Sequence, residues 1–172
     1  NSDLTVAKFG GTSLADTEKF RQVKSIVQED PARKYIVASA AGRSAENTVK
    51  VTDLLIEAAK KPEKFDENVK LISDRYCRIA EDLDLAVDIS AKINRIREDF
   101  REIREGGGNP LPYLASRGEY LCAQLLAEYL GYDFVDGEEL ILFHNDGTLN
   151  LEATRNRIAE ELKDREHAVI PG

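Results

Sequence analysis

The sequence predicts an α/β fold: a mostly parallel, doubly wound sheet, truncated, with an inserted helical hairpin. Three observations carry this. Apolar strand-like runs alternate with helical stripes at the start of the chain, a glycine turn follows the first run, and two long helical stripes fill the middle.

Leu4-Thr5-Val6-Ala7-Lys8-Phe9 is β-prone and stops at Gly10-Gly11. A helix follows, with Phe20, Val23, Ile26 and Val27 at helical spacing, and Pro31 closes it. Tyr35-Ile36-Val37-Ala38 shows little alternation, as expected of a strand covered on both faces. It runs into Ser39-Ala40-Ala41-Gly42, a polar loop, and a helix around Val51, Leu54, Leu55 and Ala58. Phe65, Val69, Ile72, Tyr76, Ile79 and Leu83 form one helical stripe. Ile89, Ile93, Ile96, Phe100 and Ile103 form another, joined to the first by a short turn. Gly106 to Pro110 ends the pair, and a helix over about 112–130 stops at Gly131. Tyr132–Asp136 and Leu140–Phe143 read as strands, Leu151–Leu162 as a helix and Ala168–Ile170 as a last strand. That strand leads only into Pro171-Gly172, so the sequence reads as ending within a domain. With no methionine present, Asn1 does not read as a native start.

At 172 residues the chain can bury a core, and 42% hydrophobic with 33% charged residues is an ordinary globular composition. A net charge of -8 argues against nucleic acid and against anionic membranes as partners. No run approaches the ~20 apolar residues of a membrane span, and no signal peptide is visible, so a cytoplasmic location is expected. Cys77 and Cys122 lack metal or redox spacing and are expected to be buried thiols.

Lys8-Phe9-Gly10-Gly11-Thr12-Ser13 lies at a strand-to-helix junction. The glycines are expected to turn with positive φ and let a ligand approach, main-chain N–H groups to cradle phosphate, and Lys8 to set a cation over a transferring phosphoryl group. A tight turn whose glycines serve packing explains the same residues. The loop matches neither the Walker nor the dinucleotide glycine pattern.

These residues resemble the N-terminal signature of aspartate kinases, within the amino acid kinase superfamily. Val37–Gly42 followed by Val51-Thr52-Asp53-Leu54-Leu55 is similar to the family's Ser-Ala strand end and Thr-Asp-x-Leu helix start. Ser116–Ala123 is similar to its Gly-Glu helix segment. The resemblance implies a three-layer αβα sandwich. It also implies transfer of the ATP γ-phosphoryl group, with Mg2+, to the side-chain carboxylate of L-aspartate, the entry step to lysine, threonine and methionine synthesis. By motif, Lys8 stabilises the transferred group, and Gly10, Gly11 and Ser13 contact phosphate. Ser39 and Thr52 supply hydroxyls to the aspartate pocket, and Glu119 holds the substrate ammonium.

Each role has a structural rival. Ser39 ends a strand, Thr52 suits a helix N-cap, and Ser116 with Glu119 fits a capping box. Arg43 and Lys50 read as a solvated loop, His144 and His167 as edge or solvent-facing histidines. The family's nucleotide half, with its Gly-Arg-Gly-Gly-Ser-Asp segment, and its regulatory ACT domains, expected to join subunits into a homo-oligomer, are absent from residues 1–172. The isolated chain is therefore expected to have little or no kinase activity. Rival functions are a kinase for glutamate, acetylglutamate or carbamate, and a non-catalytic amino-acid-binding module.

Overall fold

A computed structural model of the chain describes residues 5–137, 140, 142–148 and 150–172. Thr5–Phe9 (β1) leads through a 3-10 turn at Gly11–Leu14 into Thr17–Glu29 (α1). Arg33–Ala38 (β2) is followed by Val51–Lys60 (α2), Phe65–Asp82 (α3), Ile89–Glu105 (α4) and Leu111–Leu130 (α5). Asp133–Phe134 (β3), Leu151–Leu162 (α6) and Ala168–Pro171 (β4) complete the described elements.

The strands form one parallel sheet in the order β1-β2-β4-β3. Its register separates the two faces residue by residue. Ile36 pairs with Val169, and both enter the main core. Tyr35 pairs with Ala168, and both enter a smaller cluster with Val135, Leu140 and Leu162 of α6. The sheet thus lies between α6 on one face and the other helices on the opposite face, giving the three layers. α5 lies directly on the sheet, contacting β2, β3 and β4. Its Leu121, Cys122, Leu125 and Leu126 are almost fully buried.

The hairpin stripes form α3 and α4. Phe65 stacks flat on Phe100, with ring centroids 3.9 Å apart. Gly131 closes α5 in the left-handed conformation at φ 71, which glycine adopts without strain.

Some expectations change. Ile26 is 42% exposed, because Phe20, Val23 and Val27 define the buried face of α1 and Ile26 lies about 100° round from Val27. Among its described residues Leu140–Phe143 is reduced to a β-bridge at Phe143; Ile141 lies outside them. The main-chain N–H of Leu142 donates to the Thr154 hydroxyl, and its carbonyl accepts from Asn150 and Thr154. The start of α6 therefore takes the groups a strand neighbour would have used. Leu4 also lies outside the described residues. Cys122 is buried but Cys77 only half-buried, and both are free thiols. Among the described residues, no helix is long and apolar enough to cross a membrane.

Candidate active site

The carboxyl ends of β1, β2 and β4 meet at one edge. The Ser39 N–H donates to the Phe9 carbonyl at 3.1 Å, and the Gly172 N–H to the Ala38 carbonyl at 2.9 Å. Ligands of open parallel sheets bind at such edges. Lys8 lies one residue before the end of β1. Its neighbours Ala7 and Phe9 pack against the main core, so strand alternation sends Lys8 to the other face, where it is exposed.

The glycine loop is built by close main-chain approach, which replaces the expected positive φ. Gly10 is extended, at φ -77 and ψ 173, and positive-φ glycines occur at Gly107, Gly131 and Gly147 instead. A Cβ on Gly10 would meet no atom within 4 Å, so the loop faces open space there. Gly11 is different. A Cβ on it would lie 3.1 Å from the Ala40 oxygen, and one on Gly42 only 2.6 Å from the Gly11 carbonyl carbon. The two loops touch, and the Gly42 N–H donates to the Gly11 carbonyl at 2.8 Å. In the trans peptide between Gly11 and Thr12, an inward carbonyl sends the Thr12 N–H the opposite way. The N–H groups of Gly11 and Thr12 open the 3-10 turn and so have no carbonyl partner within it, the arrangement that suits an anion. Ser13 is half-buried, and its N–H donates to the Gly10 carbonyl at 3.1 Å.

Ser39 and Thr52 are half-buried beside this loop. Thr52 is not the N-cap. Lys50 holds that position, and the Val51 N–H donates to the Ala41 carbonyl, so the β2 loop supplies what a capping side chain would have offered. The capping box also falls. Pro112 in the first turn of α5 starts the helix at Leu111, leaving Ser116 in its interior with its hydroxyl donating to the Tyr113 carbonyl at 2.9 Å.

Glu119 is half-buried and lines a cleft of about 430 Å³ with Ser116, Arg117, Tyr120, Asp136, Gly137, Phe143, Pro171 and Gly172. Of the predicted site residues, Glu119 alone lines it. The preceding residue joins it to the loops. A Cβ on Gly118 would lie 2.8 Å from Val51 Cγ1 and 2.9 Å from Ala40 Cβ. A larger polar groove of about 490 Å³, between α1 and α3, contains none of the predicted residues.

Sequence reasoning gave no role to Arg117, although its spacing from two tyrosines was a usable signal. Its guanidinium carbon sits 4.8 Å from the Tyr113 ring centre and 4.5 Å from that of Tyr120. Sequence reasoning also gave no polar role to Arg75 and Tyr76, which bond to the main chain of Gly42 and Ala41. Burial pushes the Cys122 thiol beneath the site up to about 12, keeping it neutral and packed as an apolar side chain. Among the described residues, no group of three or more His, Cys, Asp or Glu side chains could hold a metal ion.

Residues 3–172 match the amino acid kinase family. The chain belongs to that family. It is 39% identical over 142 residues to aspartokinase 3 of Bacillus subtilis, covering 78% of this chain and 31% of that protein. Its fold matches Clostridium acetobutylicum aspartate kinase with a TM-score of 0.87 and 38% identity, over 98% of this chain and 39% of the other. Escherichia coli aspartokinase III, solved with aspartate and ADP, matches at a TM-score of 0.80 and 23% identity, over 99% of this chain and 40% of that one, a likeness of fold. The chain thus spans between 31% and 39% of the length of the Bacillus and Clostridium relatives.

Proposed function

We propose that the protein carrying this chain is an aspartate kinase, with residues 1–172 forming the aspartate side and part of the phosphate cradle. The observation that carries this is the joining of the Gly10–Ser13 turn, through Gly42 and Ala40, to the helix that bears Glu119. It stands beside the similarity to aspartokinases over most of the chain. In the reaction, an oxygen of the aspartate β-carboxylate attacks the γ-phosphorus of ATP. The P–O bond to ADP breaks, ADP leaves, and 4-phosphoaspartate forms.

The N–H groups of Gly11 and Thr12, in the turn that Gly10 opens, and the Ser13 hydroxyl hold phosphate oxygens, and Lys8 offsets the charge on the transferring group. Glu119 holds the substrate ammonium, and Ser39 and Thr52 donate to its carboxylates. Mg2+ would enter with ATP, bound to its phosphates. A cytoplasmic homo-oligomer, joined through segments outside this chain, completes the reading. The isolated chain has little or no activity, because the two halves of the site must meet in register.

The test is ADP formation by the full-length protein with aspartate, glutamate, acetylglutamate and carbamate offered separately. Aspartate-dependent turnover is expected. Preference for another acid reassigns the substrate, and tight aspartate binding without turnover marks a sensor. Lys8→Ala is expected to lower kcat by about 10²–10³-fold while aspartate affinity stays within a few-fold. Equal losses in kcat and aspartate affinity would remove Lys8 from the chemistry.

A further inference from the structure

We infer that Arg75 and Tyr76, neighbours on α3, are positioning residues for phosphoryl transfer, Arg75 for the phosphate side and Tyr76 for the acceptor side; this rests on the kinase reading above. Neither lines the Glu119 cleft, and both are buried, Arg75 at 8% exposure and Tyr76 at 0%.

Arg75 gathers three main-chain segments. Its Nη1 donates to the Val49 carbonyl at 3.0 Å, and its Nη2 to the carbonyls of Ala15 at 3.1 Å and Gly42 at 2.7 Å. Ala15 directly follows the 3-10 turn of the glycine loop, and Val49 lies just before α2. Gly42 is thereby held at both ends, its N–H by the Gly11 carbonyl and its carbonyl by Arg75. A guanidinium stays charged, and burying it is costly compared with an apolar side chain of similar length. What it supplies here is a forked geometry that fixes three carbonyls together, and a lysine's single nitrogen reproduces this poorly.

Tyr76 uses one hydroxyl twice. It accepts from the Ala41 N–H and donates to the Gly118 carbonyl, both at 3.0 Å. Ala41 lies two residues after Ser39, and Gly118 directly precedes Glu119. The Ala41 carbonyl also takes the first N–H of α2, one residue before Thr52. One buried oxygen therefore sets the spacing between the segment that carries Ser39 and leads to Thr52 and the helix that carries Glu119.

The division of labour is the testable part. In the full-length protein, Tyr76→Phe removes one oxygen and keeps the ring, so the core stays filled. It is expected to raise the aspartate KM about tenfold and leave the ATP KM within about twofold. Arg75→Lys is expected to lower kcat or raise the ATP KM about tenfold, with the aspartate KM little changed. Phe100→Leu in the hairpin is the control: it lowers Tm without moving either KM. Kinetics that stay unchanged in both variants while Tm falls, or equal shifts in both KM values, would overturn the inference. Amide exchange at Ala41 and Gly42 supplies a readout independent of turnover. It should quicken at Ala41 in Tyr76→Phe and in the Gly42 segment in Arg75→Lys, and unchanged exchange would also overturn it. Absence of aspartate-dependent ADP formation by the unsubstituted protein is the separate result that removes the kinase reading.

Discussion

At the carboxyl ends of β1 and β2, glycines bring segments together, main chain on main chain at Gly11 and Gly42 and main chain on side chain at Gly118. Gly42 lies against Gly11, Ala40 against Gly11, and Gly118 carries α5 onto Ala40 and Val51. In the hairpin of α3 and α4, contact is made by side chains. Phe65 stacks on Phe100, and Val69, Ile72, Ile79, Ile93 and Ile96 continue the buried stripes of the two helices. Side-chain packing can adjust by changing rotamers, whereas a main-chain contact at 3 Å has no such freedom. The candidate site lies at an edge where an added Cβ on Gly11 or Gly42 meets backbone. The hairpin supports it from behind, through Arg75 and Tyr76.

Four substitutions or measurements sharpen this contrast. Gly42→Ala puts a Cβ 2.6 Å from the Gly11 carbonyl carbon, so the loops must separate. The expected loss in kcat/KM is on the order of 10²-fold or more, read by steady-state kinetics. Near-normal kinetics would show that the loops are looser than their contacts imply. Gly118→Ala meets two side-chain atoms, Val51 Cγ1 and Ala40 Cβ, which yield more readily than backbone. Overpacking should cost about 1–3 kcal/mol in denaturant titration and weaken aspartate binding. Phe100→Leu should cost roughly 1–2 kcal/mol and leave both KM values unchanged, because only apolar contact is lost. The smallest effect is chemical. Half-buried Cys77 should react with iodoacetamide in the native protein, and Cys122 only after unfolding. Burial raises the Cys122 thiol, so its contribution to stability is complete below pH about 8.5 and declines as pH rises toward 12.

The sheet was legible where strands are covered on both faces. Ile36 and Val169 lie in runs with no polar interruption, and both became central. The 142–143 segment keeps only a β-bridge at Phe143, because Thr154, on a later helix, takes main-chain groups of Leu142. At the candidate site, three ordered motifs named the segments that the fold brings together. How those segments are held was not legible. Gly42 and Gly118 were part of those motifs, yet only packing reveals that a Cβ cannot fit there. Thr52 and the Ser116–Glu119 pair matched capping patterns, but a loop carbonyl and Pro112 had already set those helix starts. Arg75 sits beside an apolar stripe, and no local pattern tells which carbonyls lie opposite it.

The central claim is that the turn after β1 holds the nucleotide's terminal phosphates while the α5 cleft holds the amino acid. A crystal structure of the full-length protein with ADP and aspartate tests it most directly. The account predicts β-phosphate oxygens within hydrogen-bonding distance of main-chain N–H groups in Gly10–Ser13, and the aspartate ammonium on Glu119. Phosphates seated away from that turn, or an ammonium bound elsewhere, would contradict it.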